Sequence, residues 1–282
     1  MPPHLAGVFS YFFLMDYKNL LITAINAAVD GGDAILNVYN NEETQVEYKE
    51  DNSPLTQADK QANEAIMALL GPTGIPVLSE EGKSIAYDER KNWNQLWIVD
   101  PLDGTKEFIK RNGEFTVNIA LVENGEPVMG VIYVPVSNDL YFSLKDEGSF
   151  KIGRIGSYTQ IDDFDAIKSA SEKLPIEDKR PFTVVGSRSH MNEETSSFIK
   201  KLEEENGAVE IMSRGSSLKI CMVAEGKADV YPRFAPTMEW DTAAGHAIAK
   251  YAGFEMFLHD KNEPLKYNKK DLLNPWFIVK SV

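Results

Sequence analysis

The chain of 282 residues is 43% hydrophobic and 26% charged, a balance typical of a globular enzyme with two domains or one large two-lobed domain. Acidic residues outnumber basic ones by 43 to 29, which gives a formal charge of -14. A surface that binds long nucleic acid carries a basic excess, so the composition argues against that partner. A small phosphate ester is still compatible with it, provided that metal ions supply the positive charge.

The N-terminal residues 1–14 contain an apolar run at 6–14. No Lys or Arg precedes the run, no small-x-small cleavage site follows it, and it is too short to span a bilayer, so the sequence predicts no transmembrane segment. We expect residues 1–14 to form a poorly ordered extension.

The chain has a single cysteine, Cys221, so no internal disulfide can form, which fits a cytoplasmic location. Cys221 lies in an apolar run, which predicts a position in the core. Peripheral association with the inner face of the membrane is left open.

The first half of the chain predicts helices followed by an antiparallel sheet. Apolar residues recur on one face over 16–39, and a second helix begins near Thr56 and stops at Gly71-Pro72. Turn signals at Asn124-Gly125 and at 146–148 separate apolar runs that are typical of hairpin strands. The predicted strands are 76–78, 96–99, 115–122, 128–134, 140–144 and 149–152.

The second half alternates between strands and helices, which predicts an α/β lobe. Residues 160–180 are charged and irregular, and we place a domain boundary at their end. The expected domains are therefore 15–180, an α+β unit that carries a metal site, and 181–282, an α/β unit. The predicted strands are 182–186, 208–212, 228–232 and 276–280, and the predicted helices are 193–205, 216–225 and 241–251.

The most informative motif is Asp100-Pro101-Leu102-Asp103-Gly104, which directly follows an apolar strand. We expect Asp100 and Asp103 to converge on one point beside the Leu102 carbonyl, a set of oxygen ligands that suits Mg²⁺. The Gly104 and Thr105 amides follow at once. If a helical turn begins there, its free N–H groups form an anion site, although a capped turn would explain the motif without function.

Three further acidic segments each have a structural explanation when taken alone. Glu80 and Glu81 follow an apolar strand and would ordinarily be surface charges. Asp241 lies at the start of a small-residue helix, where an N-cap is expected. Asp59 follows Thr56 in a Thr-x-x-Asp pattern typical of a capping box.

Taken in order, however, the four segments S-P-L-T-x-A-D, S-E-E, W-I-V-D-P-L-D-G-T and W-D-T-A-A-G resemble the inositol monophosphatase superfamily from about residue 17 to the end. The resemblance implies a mixed α+β and α/β fold, a two-lobed layered αβαβα sandwich of the inositol-monophosphatase/fructose-bisphosphatase type. It also implies a Mg²⁺-dependent phosphatase that is inhibited by Li⁺. The run D-P-L-D-G-T-K-E-F-I is closer to the bacterial 3'(2'),5'-bisphosphate nucleotidase branch, which implies hydrolysis of 3'-phosphoadenosine 5'-phosphate to AMP and phosphate.

Residue by residue, the resemblance assigns roles to matched positions. The ligands of two or three Mg²⁺ ions would be Glu80, Asp100, the Leu102 carbonyl, Asp103 and Asp241. Asp59 and Thr105 would be the catalytic pair that orients the attacking water. Glu81 would contact the metal ligands rather than the ions themselves. The substrate would contact Glu80, Leu102, Asp103, Gly104, Thr105 and Asp241.

Binding of a second phosphate and a nucleoside needs further groups. Three further runs, 185–190, 215–219 and 223–233, also resemble the nucleotidase branch. The candidates, which are cationic or hydroxylic within these runs or within the run that contains Lys106, are Lys106, Arg188, His190, Ser216, Lys219 and Arg233. His246 lies on the small-residue helix and is expected to be structural. The partner is a small-molecule phosphate ester, and the chain is expected to be a monomer or a homodimer.

Alternative functions are an inositol monophosphatase, a broad sugar-phosphate phosphatase and a non-catalytic divalent-cation-binding module. The spacing of a calcium-binding loop is absent around Asp100. A nucleotide-triphosphate site at Gly82-Lys83-Ser84 fails because Val77 stands where the first glycine of a P-loop is required.

Overall fold

The computed structural model describes residues 16–40, 46–48, 54–155, 160–176, 179–186 and 192–282. The predicted extension 1–14 lies outside these ranges, as do Arg188 and His190. Among the described residues, no helix has both the length and the apolar character that a membrane crossing requires.

Five of the helices in these ranges begin and end within two residues of the predicted bounds, namely those at 17–39, 57–70, 193–206, 218–224 and 239–251. Asp16 caps the first one, because its Oδ1 accepts the N–H groups of Lys18 and Asn19. The helices are α1 (Tyr17–Tyr39), α2 (Gln57–Leu70), α3 (Tyr87–Arg90), α4 (Thr105–Ile109), α5 (Phe164–Ser169), α6 (Glu193–Asn206), α7 (Leu218–Ala224) and α8 (Glu239–Tyr251).

The strands form a two-stranded pair, a seven-stranded sheet and a five-stranded sheet. In chain order they are β1 (Val46–Tyr48), β2 (Pro54–Thr56), β3 (Val77–Ser79), β4 (Gln95–Asp103), β5 (Thr116–Glu123), β6 (Glu126–Val134), β7 (Asp139–Leu144), β8 (Gly148–Ile152), β9 (Glu172–Lys173), β10 (Thr183–Gly186), β11 (Glu210–Ser213), β12 (Val230–Arg233), β13 (Phe254–Leu258) and β14 (Phe277–Ser281).

The seven-stranded sheet has the order β3-β4-β5-β6-β7-β8-β9 and is antiparallel except for the β3–β4 pair. Side chains alternate across it, as a pleated strand requires. Trp97 and Val99 of β4 pack with α1 and α2 on one face, and Leu96 and Ile98 pack with α7 and α8 on the other.

The five-stranded sheet has the order β11-β10-β12-β14-β13 and mixes parallel with antiparallel pairs. Its two faces are also apolar. Val230 packs with Ile199 of α6 on the outer face, while the neighbouring Tyr231 packs toward α7 and α8. The α/β character predicted for the second half is confirmed.

Helices α7 and α8 form a middle layer that both sheets share, so the layers run α/β/α/β/α, and the predicted fold class is confirmed. The seven-stranded sheet ends at Lys173 and the five-stranded sheet begins at Thr183. The domains 15–180 and 181–282 stay a prediction, because α8 from the second range packs on strands of the first.

Two local predictions were wrong, and one strand of the five-stranded sheet was missed. Residues 160–180 were expected to be irregular, but Asp163 caps the short helix α5 within them. The strand β13 was not predicted, because its run of five residues follows α8 directly and is too short for periodicity to identify. Helix α8 begins at Glu239, so Asp241 is its third residue and not its N-cap.

The contact between α8 and the seven-stranded sheet depends on Gly130 in β6. A Cβ atom at this position would lie 2.3 Å from the carbonyl oxygen of Ala244 and 2.9 Å from the Cβ of Ala247. These distances are shorter than van der Waals contact, so the sheet and the helix could approach this closely only with glycine there.

We therefore expect Gly130→Ala to lower the free energy of unfolding by about 1–3 kcal/mol, because α8 must move away from β6. Urea unfolding followed by circular dichroism measures the change. The matched control is Gly71→Ala, where an added Cβ would meet no atom within 4 Å. Equal stability of the two variants would contradict the close-packing argument.

Candidate active site

Two acidic residues lie at adjacent strand ends in the seven-stranded sheet. Strands β3 and β4 are parallel, so their carboxyl ends meet at one edge, and Ser79 pairs with Val99. The next residues are Glu80 and Asp100, and the Glu80 N–H donates to the Val99 carbonyl at 3.1 Å. Asp100 is 1% exposed. The sheet therefore places Glu80 beside a buried carboxylate.

A bulge in β4 turns Asp103 to the same face as Asp100. Residues three apart on a regular strand point to opposite faces. Here Asp100 pairs with Asn118 and Asp103 pairs with Thr116, which are only two apart on β5, so one extra residue is accommodated on β4. Pro101, which has no N–H for the ladder, lies within the bulge. Both carboxylates therefore face the middle helical layer.

After Asp103 the chain reverses through Gly104 into α4. Gly104 has φ 96°, a left-handed conformation that glycine adopts at little energetic cost. Helix α4 then begins at Thr105, which confirms the predicted helical turn.

Asp241 reaches the site from α8. Its Oδ2 accepts the Met238 N–H at 2.9 Å, so it caps the helix from the third position. The first residue of α8, Glu239, is fully buried and accepts the N–H groups of Asn268 and Lys269 at 2.6 and 2.9 Å. Lys269 Nζ also donates to Glu239 at 2.7 Å. The start of α8 is thus fixed to the 268–269 loop.

The acidic residues raise one another's affinity for protons. Burial, followed by the charges of Glu80, Asp103, Asp241 and Asp59, raises the pKa of Asp100 well above its ordinary value. Burial and the charge of Asp103 raise the pKa of Asp241 to about 8, against the opposing hydrogen bond from Met238. A divalent cation would relieve this repulsion.

A cavity of about 150 Å³ opens beside these residues. Asp103, Gly104 and Asp241 line it, and Lys106, Arg214, Lys219 and Arg233 line the same cavity. Burial lowers the pKa of Lys219 to about 8, with Asp103 raising it and Arg233 lowering it further. Anionic and cationic groups thus share one small volume. The remaining lining residues are Glu107, Gly215, Ser216, Ser217, Ile220, Tyr231, Thr237 and Phe277.

The remaining predicted site residues lie nearby but outside the cavity lining. Leu102 is buried, and its N–H donates to Asp100 Oδ1 at 3.1 Å. Glu80 and Thr105 are half-buried. Asp59 is 2% exposed in the first turn of α2, and β2, which leads into α2, lies against α4. The charge of Asp59 acts on Asp100, so the predicted catalytic pair belongs to the same neighbourhood.

The donor set fits a hard divalent cation such as Mg²⁺, because its ligands are oxygen atoms. A bound cation would also offset the burial and the repulsion that raise the pKa values of Asp100 and Asp241. Within the described ranges, no three His, Cys, Asp or Glu side chains already converge closely enough to enclose an ion. The assignments of Glu80, Asp100, Leu102, Asp103 and Asp241 as ligands, and of Glu81 behind them, stay predictions.

Sequence reasoning missed a polar cluster behind Asp103. Thr116 and Asn118 of β5 and Ser217 before α7 are all buried, and their hydroxyl and amide groups are joined by hydrogen bonds. The available signal was the amide of Asn118 within an otherwise apolar strand. Arg214, Tyr231, Thr237 and Phe277 were also missed, since neither their spacing nor their neighbours along the chain indicate that they line a cavity.

Two structural interpretations are confirmed. His246 is 1% exposed and contacts Tyr267 and Glu255 through its two ring nitrogens, away from the cavity lining. Burial lowers the pKa of His246. Cys221 is 1% exposed and has a free thiol in the core formed by the middle layer.

Comparisons with known proteins identify a family and several similar chains. A model of the inositol monophosphatase family matches residues 16–280. The 3'(2'),5'-bisphosphate nucleotidase CysQ of Escherichia coli strain K12 is 46% identical over 258 residues, covering 89% of this chain and 96% of that protein.

Solved structures give the same result. The crystal structure of CysQ from Bacteroides thetaiotaomicron, described as a bacterial member of the inositol monophosphatase family, is 56% identical with a TM-score of 0.89, covering 94% of this chain and 98% of that one. The extragenic suppressor protein suhB from Bartonella henselae is 22% identical with a TM-score of 0.70, covering 93% and 94%, and shares the fold.

The raised pKa values predict how pH affects cation binding. The pKa of Asp241 is raised from 3.8 to about 8 in the metal-free fold. Its contribution to the stability of that fold is fully present below pH 3.8 and is lost as the pH rises through about 8. A bound cation would offset that loss. We expect the difference in Tm between Mg²⁺-saturated and EDTA-treated protein to widen from pH 6 to pH 9.

Differential scanning calorimetry at fixed ionic strength measures both Tm values. The variant Asp241→Asn should reduce the widening, because it removes one of the titrating carboxylates. A difference in Tm that is constant or shrinks between pH 6 and pH 9 would contradict the cation site.

Proposed function

Because the chain belongs to the inositol monophosphatase family, we propose that it is a Mg²⁺-dependent, Li⁺-sensitive phosphatase that hydrolyses 3'-phosphoadenosine 5'-phosphate to AMP and phosphate. One observation carries the proposal, namely the cavity lined both by Asp103 and Asp241 and by four cationic side chains. A substrate with two phosphates needs both kinds of group, since cations held by carboxylates bind the reacting phosphate and basic side chains bind the other.

The residues that would hold two or three Mg²⁺ ions are Glu80, Asp100, Asp103 and Asp241, together with the Leu102 carbonyl. Bound there, the ions would supply Lewis acidity to the phosphoryl group and lower the pKa of water. The all-oxygen donor set and the raised pKa values of Asp100 and Asp241 support this assignment.

Asp59 and Thr105 would orient the attacking water. The Asp59 carboxylate would accept a hydrogen bond from the Thr105 hydroxyl, which leaves a lone pair on that oxygen to accept a hydrogen bond from the attacking water. The contact between α4, which begins at Thr105, and β2, which leads into the first turn of α2 where Asp59 lies, supports the pairing. No histidine base is required.

The reacting phosphate would also be held by the N–H groups of Gly104 and Thr105. These amides follow the Asp103 carboxylate directly, so cation ligands and anion donors are adjacent in the chain. Pre-oriented donors of this kind stabilise charge that develops in the transition state.

The second phosphate would contact Ser216, Lys219, Arg233 and Lys106, all of which line the cavity. With a pKa of about 8, Lys219 is mostly protonated at neutral pH, and an adjacent phosphate would favour its charged form. Arg188 and His190 lie outside the described residues and stay predictions. The cytoplasmic location and the monomeric or homodimeric state are further parts of the proposal.

The first experiment measures phosphate release by the purified protein with Mg²⁺, with and without Li⁺. The panel is 3'-phosphoadenosine 5'-phosphate, inositol 1-phosphate and fructose 1,6-bisphosphate. We expect a strong preference for the nucleotide and its suppression by Li⁺. Preference for inositol phosphate would overturn the substrate, and no release from any ester would overturn the enzymatic proposal in favour of a binding module.

The variant Asp103→Asn tests the site itself. Removal of one ligand charge should lower kcat by on the order of 100-fold or more, since a metal supplies several kcal/mol of transition-state stabilisation and each 1.36 kcal/mol is tenfold. The control is Asp260→Asn, which alters an exposed carboxylate in a turn. Near-normal turnover in a folded Asp103→Asn protein would contradict the metal assignment.

A further inference from the structure

The Asp103 carboxylate is held on one oxygen only. Its Oδ2 accepts the Ser216 hydroxyl at 2.6 Å and the Ser217 hydroxyl at 2.8 Å, and Asn118 Nδ2 lies 3.4 Å away. Within the part of the chain that the structure describes, no hydrogen bond to Oδ1 is found. The Oδ2 atom is therefore occupied by donors of the protein itself, and the Oδ1 atom is available to bind a cation.

Asp100 and Asp241 show the same division but with different donors. Asp100 Oδ1 accepts the backbone N–H of Leu102, and Asp241 Oδ2 accepts the backbone N–H of Met238. These donors are local and cannot be removed by changing a side chain. Asp103 differs because its partners are side chains that lie 15 to 114 positions away in the sequence.

Each hydroxyl in the cluster has one proton to donate, and Ser216, whose Oγ lies 2.6 Å from both Asp103 Oδ2 and Thr116 Oγ1, serves one of these two acceptors at a time. Thr116 donates its hydroxyl proton to Asn118 Oδ1 at 2.9 Å, which fixes the orientation of the amide. Asn118 Nδ2 then faces Ser217 and donates to its Oγ at 2.9 Å. The one proton of Ser217 goes to Asp103 Oδ2 at 2.8 Å, because a charged carboxylate is a stronger acceptor than the Asp241 carbonyl oxygen, which lies 2.9 Å from the same hydroxyl.

We propose that Ser217 and Asn118 are positioning residues that hold Asp103 so that Oδ1 faces the cation. The inference rests on the metal-dependent chemistry proposed above. Ser217 is 3% exposed and Asn118 is 1% exposed, so water does not replace their hydrogen bonds easily. Because Ser217 lies between Asp103 and the Asp241 backbone, it also sets the separation of these two residues.

The test is the affinity of the metal-free protein for Mg²⁺, measured by isothermal titration calorimetry in the absence of substrate. Partners that orient a metal ligand typically contribute 10–100-fold to affinity. We expect Ser217→Ala to raise the Mg²⁺ Kd about 10-fold. A merely structural role would lower Tm without changing this Kd.

The matched control is Ser149→Ala. Ser149 is also buried, and its hydroxyl donates to the carbonyl oxygen of Ile248, another residue of α8, at 2.7 Å. This variant removes the same kind of hydrogen bond and should leave the Mg²⁺ Kd unchanged. A Kd for Ser217→Ala within twofold of both the wild type and Ser149→Ala would overturn the proposal.

The variant Asn118→Leu provides the second measurement, because leucine has the same number and branching of side-chain heavy atoms as asparagine and lacks the amide donor. We expect a severalfold rise in its Mg²⁺ Kd, and an unchanged Kd would exclude a role for the amide. The titration contains no ester, so a wild type that binds Mg²⁺ but hydrolyses no ester overturns the proposed function alone. A wild type that binds no Mg²⁺ overturns the cation site and this inference together.

Discussion

The burial of Asp100 and the repulsion from the carboxylates around it are the constraint on which the site depends. Asp100 is almost fully buried, and the charges of Glu80, Asp103 and Asp241 all raise its pKa. Desolvation and like charge both disfavour ionisation, so without a cation this arrangement destabilises the ionised fold. The surrounding protein must therefore hold the acids in place rigidly enough to withstand their repulsion.

The fold meets this requirement by assembling the site from three independent supports. The parallel β3–β4 edge holds Glu80 and Asp100, the bulge in β4 turns Asp103 to the same face, and the start of α8 carries Asp241. Each support is fixed by backbone hydrogen bonds or close packing of its own. The middle layer matters most, because α8 contacts both sheets and brings the acid of the second half to those of the first.

The cavity also separates two electrostatic tasks. The carboxylates attract cations, and the buried Lys219 together with Arg233 attracts anions, although Lys219 is within the electrostatic influence of Asp103. These opposite charges coexist because backbone carbonyls and hydroxyls satisfy many of their donors and acceptors. Lys219 Nζ donates to the Ser216 carbonyl at 2.7 Å, for example. A protein with net charge -14 can bind a phosphate ester in this way, because the electrostatic potential in the cavity depends on the basic side chains that line it more than on the net charge of the chain.

The sequence by itself determined most helix and strand positions, because apolar periodicity, turn residues and capping patterns are local, and the resemblance of its four acidic segments to a known family implied the layered fold. The sequence did not reveal β13 or α5, which are too short for periodicity, nor that α8 begins at Glu239. The tertiary structure alone decided that the β4 bulge aligns Asp100 with Asp103 and that Ser217, 114 positions away, binds the Asp103 carboxylate. Contacts of that kind depend on how sheets and helices pack, and no pattern along the chain records them.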